Sequence, residues 1–314
     1  MRRIPLFQLE TPYREPMVVW GFEFGDEAAS PAAAIVGSTR GNEVQQLFVC
    51  SHLVERLAHA EGRGSLRQGA RILVVPCVNP ISMNVSQRFW PLDGTDINRM
   101  FPGRPDGETT QRVAAGVFDV VSKYALGVQL CSFYMPGEFE PHVRITREGP
   151  ISDESDAMAD AFGLPFVVEN DPDPFDTVML NYNWQSWGTH AFSLYSRTTE
   201  TLDAKSAGEV ERAVIRFLSS RGLVAGRPTK GQPSRHVREA DLVNVRTERA
   251  GGFFLRKVGP GQHVDQGQVL ADVADTLDSH VRETLVSPVA GTVLFARAVA
   301  LVQQDIVCFR IVPD

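Results

Sequence analysis

Residues 79–103 read Asn-Pro-Ile-Ser-Met-Asn-Val-Ser-Gln-Arg-Phe-Trp-Pro-Leu-Asp-Gly-Thr-Asp-Ile-Asn-Arg-Met-Phe-Pro-Gly, and residues 37–43 read Gly-Ser-Thr-Arg-Gly-Asn-Glu. The shorter stretch lies at the end of an apolar run, 32–36, and at the start of a helical pattern over 43–60. There Leu47, Cys50, Val54 and Leu57 recur at spacings of one helix face. The longer stretch follows the apolar run 72–78. Further out, 126–133, 164–168 and 190–196 are short apolar runs that end in turn or polar residues. Between them, Val113, Val117, Val120, Val121 and Tyr124 mark a helix over 110–124. A third helix is expected over 206–221: Ser206 with Glu209 forms a capping box, Val210, Ala213, Val214, Phe217 and Leu218 form the stripe, and Gly222 is the stop. Short buried strands alternating with helices predict an α/β fold, a sheet with helices on both faces.

The texture changes near residue 226. Residues 226–240 are polar with two prolines and read as a linker. Beyond it, β-branched runs recur between glycines, which predicts a small all-β module over 241–314, after a first domain of 1–228.

Composition narrows the function classes. The chain has 314 residues, 43% hydrophobic and 22% charged, with a formal charge of −7. No long basic run suggests a nucleic-acid partner. No apolar stretch approaches the roughly 20 residues of a membrane helix, and Met1–Glu10 lacks the apolar segment of a signal peptide. Cysteines 50, 77, 131 and 308 form no C-x-x-C pair, which fits a reducing cytoplasm. Seven histidines, at 52, 59, 142, 190, 236, 263 and 280, include no H-E-x-x-H.

Together the two opening segments resemble the succinylglutamate desuccinylase/aspartoacylase family, a branch of the zinc carboxypeptidase-like fold. The pattern N-P…R-x-x-P-x-D-G-x-D-x-N-R-x-F-P-G is long and specific, and Ser206–Val224 matches the family's closing helix. The chain looks most similar to longer bacterial members acting on N-acylated amino acids, including N-acetyl-diaminobutyrate-type deacetylases. The resemblance implies a mixed sheet and a zinc ion held by H-x-x-E and by a later His in a D-L-H strand end. It also implies a general-base Glu in a T-x-E strand. Zinc would lower the pKa of its bound water to about 7.

Three of these four positions depart from the pattern. Arg40 stands at the first ligand, with only Glu43 kept from that pair. Cys131 stands at the second His, and Tyr195 at the general base. Arginine has no acceptor and stays protonated, so it cannot ligate zinc. No cofactor is therefore expected, and the Arg40 guanidinium is expected to stand in for the metal charge and pair with Glu43. The resemblance also places Arg88, Asn98 and Arg99 where substrate carboxylate and scissile carbonyl are bound. The competing reading is that Asp96 and Arg99 only hold their own loop.

Other readings stay open. Cys131 could be a nucleophile with His142 or His190 as base, or it could fill vacated ligand space. His142 reads as a relocated ligand or a solvated loop residue, and His190 as facing the pocket or not. Cys50 and Cys77 read as core. The stretch 169–176 suggests a surface loop rather than a calcium site, and 183–187 either lines an entrance or covers the sheet. The C-terminal module resembles the biotinyl/lipoyl-like fold, yet its hairpin 275–284 has no acceptor lysine, which favours a structural or assembly role.

Two functions follow from the resemblance and its departures. One is a non-zinc relative that binds an N-acylamino-acid-like carboxylate ligand. The other is an active amidohydrolase with a rearranged metal site, in which zinc would be held by Glu43, Cys131 and His142. The expected partner is a small carboxylate-bearing molecule, with no nucleic acid and no membrane. An edge strand or the β module offers a route to a homo-oligomer.

Overall fold

The computed structural model describes residues 1–13, 15–147, 152–226 and 228–314. The chain opens with β1 (Arg2–Leu9), β2 (Met17–Gly25) and β3 (Ala33–Ser38). Then come α1 (Val44–Gly62), β4 (Arg71–Cys77), α2 (Pro80–Asn84), α3 (Thr109–Val121) and β5 (Leu126–Cys131). Next are β6 (Gly137–Phe139), β7 (His142–Thr146), α4 (Ser152–Asp160) and β8 (Phe166–Asn170). α5 (Leu180–Ser186), β9 (His190–Tyr195), α6 (Ala204–Ser220) and β10 (Arg235–Arg238) follow. Among the described residues these strands build a nine-stranded mixed sheet in the order β1-β2-β4-β3-β5-β9-β7-β8-β10. Its centre, β4-β3-β5-β9, is parallel, and β1, β2 and the β7–β9 pair are antiparallel.

Side-chain alternation puts a core on each face. Ile35, Ile72 and Val74 pack against α1 and α6, with Phe162, Phe192 and Phe217 stacked in the same layer. Ala34, Val36, Leu73 and Val75 face α3 and α5 on the other side. Trp184 of α5 is fully buried, donates Nε1–H to the Val121 carbonyl at 3.0 Å, and crowds Gly127, where a Cβ would sit 2.8 Å from its ring. The 183–187 segment thus covers the sheet. The helix expected at 206 begins a turn earlier. Asp203 caps it by accepting from Ser206 N at 3.0 Å, and the Ser206 hydroxyl accepts from Arg197 N instead of forming a capping box.

The C-terminal part adds β11 (Val243–Arg246), β12 (Gly252–Arg256), β13 (His263–Val264), β14 (Val269–Ala274), β15 (Val281–Val286), β16 (Gly291–Arg297), β17 (Leu301–Val302) and β18 (Val307–Pro313). These form two antiparallel sheets, β11-β18-β16-β13 and β15-β14-β12-β17, around a core that includes Val264, Leu270, Val273 and Phe309. Strands cross between the two halves. β6 pairs with β16 in the C-terminal sheet, and β10 pairs in parallel with β8 at the edge of the large sheet. The 226–240 stretch is therefore not a free linker: 235–238 is a strand with its own ladder, although Arg227 lies outside the described residues. No helix among the described residues is long and apolar enough to cross a membrane.

Candidate functional site

The three parallel strands β3, β5 and β9 end at the same edge of the sheet, with Val36 opposite Gln129 and Cys131 opposite Tyr195. Ligand sites of open α/β sheets form at such carboxyl edges. Here a cavity of about 540 Å³ is lined on the β3 and β5 side by Arg40, Glu43, Asn98, Arg99 and Cys131, with Tyr195 of β9 towards its middle.

The loop after β3 is locked in place. A Cβ on Gly41 would lie 2.2 Å from the Ser82 carbonyl carbon and 2.3 Å from the Gln87 oxygen, so only glycine permits this approach. Glu43 then turns back on its own loop. Its Oε2 accepts from the Thr39 and Arg40 amides at 2.8 and 3.0 Å and from the Thr39 hydroxyl, while Oε1 accepts from Arg40 Nη1 at 3.2 Å and from the Ser132 hydroxyl. Arg40 is only 5% exposed. Its Nε and Nη2 grip Asp96 at 2.9–3.1 Å, so one guanidinium sits between two carboxylates. Of its five N–H groups, one hydrogen each on Nη1 and Nη2 has no protein partner among the described residues.

Asp96 also caps the 3-10 turn Ile97–Arg99 by accepting from Asn98 N at 3.1 Å. Arg99 lies 3.8 Å from the same carboxylate and is half-exposed, which leaves it facing the cavity. Asn98 is buried and accepts from Gln129 Nε2 at 2.7 Å. Arg88 is not among the cavity-lining residues. Burial, and then the neighbouring Arg40, hold its guanidinium below the usual pKa, and it lies 5.6 Å from the Phe89 ring centre.

Burial pushes the Cys131 thiol up to about 12, Ser193 acting against this and Glu43 with it. It is therefore a neutral thiol, with Sγ 3.6 Å from the Gln129 carbonyl. Burial also raises the Tyr195 phenol, so this side chain is protonated at neutral pH and cannot act as a base. His142, read as a relocated ligand or a solvated loop residue, is not in a loop and is not among the cavity-lining residues. It starts β7, is 3% exposed, stacks on Tyr195 at 4.7 Å and holds the Glu140 carbonyl through Nδ1 at 2.8 Å. Desolvation lowers its pKa to about 4. His190 starts β9, at the end of the strand away from Tyr195 and about 16 Å off along the rise of an extended chain. Neither histidine reaches Cys131 as a base.

These donors do not fit zinc. The first ligand position holds a guanidinium, and every oxygen lobe of Glu43 is already hydrogen-bonded. Two other acid–histidine clusters, Asp156/Glu169/His236 and Asp275/Asp278/His280, lie outside the cavity.

The far end of the cavity was not visible in the sequence. Asn170, Asp173 and Asp176, from the acidic stretch read as surface, line it. So do Arg144 of β7, Glu239 and, from the C-terminal module, Asn244, Arg246 and Arg310. Asn244 and Arg246 share a face of β11 by the two-residue period of a strand, and Asn244 pairs with Arg310 of β18. Phe139, Tyr195 and Phe295 pack together beneath them, with Phe139 and Phe295 ring centres 4.9 Å apart.

Comparison with known proteins agrees with the fold. The family model for the succinylglutamate desuccinylase/aspartoacylase catalytic domain matches residues 29–221. The chain is similar to an N-alpha-acetyl-L-2,4-diaminobutyric acid deacetylase of Halomonas elongata, 28% identical over 271 residues, which is 80% of this chain and 72% of the relative. It resembles the solved structure of a succinylglutamate desuccinylase/aspartoacylase from Rhodobacter sphaeroides, with TM-score 0.80 and 21% identity over 96% of this chain and 90% of that one. The product-bound ectoine utilization protein EutE (DoeB) from Ruegeria pomeroyi superposes with TM-score 0.81 and 19% identity, covering 98% and 93%.

Proposed function

The chain belongs to the succinylglutamate desuccinylase/aspartoacylase family, and we propose that it binds a small N-acylamino-acid-like carboxylate ligand in this cavity without zinc-dependent hydrolysis. The observation that carries the reading is Arg40, held between Glu43 and Asp96 at the family's first zinc position. A fixed guanidinium offers a ligand oxygen two N–H groups and positive charge, but it cannot ionise a water as a metal does. Asn98 and the half-exposed Arg99 supply further polar contacts, Arg99 as a fork for a carboxylate. Arg88, off the lining, contributes at most through its charge beside Arg40. The C-terminal module, read as lipoyl-like, supplies a wall of the cavity, and its hairpin tip Asp275–His280 has no lysine to carry a prosthetic arm.

Titration calorimetry with N-acetyl-amino acids, run with and without a chelator, tests this together with elemental analysis of the desalted protein. The expected result is binding that the chelator leaves unchanged, no stoichiometric zinc and no hydrolysis. One zinc per chain that is lost in Glu43→Ala, together with deacylation, would establish the amidohydrolase with a rearranged metal site instead. A triple variant, Arg40→His with Cys131→His and Tyr195→Glu, is expected to bind zinc and deacylate. A well-folded triple variant that does neither counts against an intact recognition pocket.

A further inference from the structure

At the far end of the cavity, Glu239 lies between two arginines from different halves of the chain. Arg144 Nε, from the large sheet, donates to Oε2 at 2.9 Å, and Arg310 Nη1, from the C-terminal sheet, donates to Oε1 at 3.0 Å. All three side chains are largely buried, and all three line the cavity. Two guanidiniums converging on one carboxylate is the arrangement by which proteins bind anionic ligands. Here the carboxylate is covalently part of the protein. Asp176 stands 3.8 Å from Arg144 and adds a second negative group on that side. Arg246, the next cation along the wall, is matched by the exposed Asp305. The far end is thus a cationic fork already filled, whereas Arg99 at the near end has only a long contact to Asp96.

We infer that Arg144 and Arg310 form a second carboxylate-binding fork whose occupant is the chain's own Glu239, and that Glu239 thereby selects ligands whose distal, acyl end carries no negative charge. This rests on the reading of the cavity as an acylamino-acid site. A ligand with one carboxylate would engage Arg99 and leave its acyl group against Glu239. A dianion would bring its second carboxylate against Glu239 and Asp176, and like charges brought together in a desolvated pocket suppress binding. Glu239 acts through the two arginines and is a specificity-determining, positioning residue, not a catalytic one.

The test compares N-acetyl-L-alanine with N-succinyl-L-alanine by calorimetry, on the full chain and on Glu239→Gln. The wild type is expected to favour the acetyl ligand by at least about tenfold, and Glu239→Gln to erase that preference. Glu239→Asp should keep the preference. A wild type that favours the succinyl ligand, or a ratio unchanged in Glu239→Gln, overturns the inference. Sulfate supplies an independent measurement. Glu239→Gln should bind one more sulfate per chain than wild type, a site that Glu239→Gln/Arg310→Gln loses again, and a folded Glu239→Gln with no added sulfate site also overturns the fork. Failure of both acylamino acids in a protein whose Glu239→Gln variant does gain sulfate would sink the proposed function and leave the fork standing.

Discussion

Arg40 has two buried acidic neighbours, and the consequence is stability as much as recognition. Taking away one partner of a buried ion pair leaves an uncompensated charge, at a cost of about 3–5 kcal/mol. Arg40→Met strands both Glu43 and Asp96 and is expected to lose stability on that scale, read as a fall in the urea midpoint at unchanged slope. His142 carries the clearest pH signature. Its folded pKa is lowered by burial to about 4, below the unfolded value of about 6.5. Its contribution is therefore fully present above pH 6.5 and is lost as pH falls towards 4, by up to about 3 kcal/mol. His142→Phe keeps a ring against Tyr195 and should flatten that part of the stability–pH curve. An unchanged slope between pH 6.5 and 4.5 would assign the acid sensitivity elsewhere. Near the family motif, the sequence was legible at this scale: Arg40 beside Glu43 followed from a three-residue spacing across a turn. Asp96 as the second partner was not, because it is 56 residues away and its D-x-N-R context reads equally well as a self-contained loop.

At the scale of elements, periodicity was a good guide where one face is buried and a poor one elsewhere. The central strands and the helices α1, α3 and α6 lie close to where their apolar spacing puts them. β1 and β2 have mixed burial and no helix between them in the sequence, so nothing in 1–25 stood out. β10 has one buried residue in four, Val237, and its polar sequence reads as a linker because its partner strand is supplied by the tertiary fold. β6 is only three residues long, too short for any period, yet it joins the C-terminal sheet through Phe139 opposite Phe295. Phe295 is fully buried against Phe139 and Phe133. Phe295→Ala should therefore cost about 3–5 kcal/mol, as large-to-small changes in a packed core do. Because the same cluster backs Tyr195 and Cys131, the variant should also weaken ligand binding at temperatures where it is still folded. Calorimetric melting and titration on the same preparation check both.

For the molecule as a whole, the two halves are joined by more than a tether. Phe166 and Val168 of the large sheet share an apolar cluster with Val237, Leu242, Leu294 and Val312. A chain cut after Pro228 would expose that cluster along with Phe139, and would lose Glu239, Asn244, Arg246 and Arg310 from the cavity. Such a fragment is expected to be poorly soluble and to show no ligand binding, whereas the full chain should melt in one transition. A soluble fragment that binds with wild-type affinity would remove the module from the site. Composition had placed the protein among ordinary acidic globular chains, with a charge of −7. It could not show that five arginines, at 40, 99, 144, 246 and 310, gather around one cavity, since they are drawn from five separate stretches of sequence.

The exchange of strands also sets an order of events during synthesis. β6 leaves the ribosome about 150 residues before β16, its partner in the ladder. Until residues 291–313 follow, Phe139 lacks Phe295, Glu239 lacks the second of its two arginines, Arg310, and the cavity lacks one side. The nascent chain can complete the parallel centre of its large sheet early, but it passes through an interval in which an apolar edge stands open to other chains. Chaperone dependence, if this protein has any, should therefore be concentrated between the emergence of residue 139 and that of residue 313.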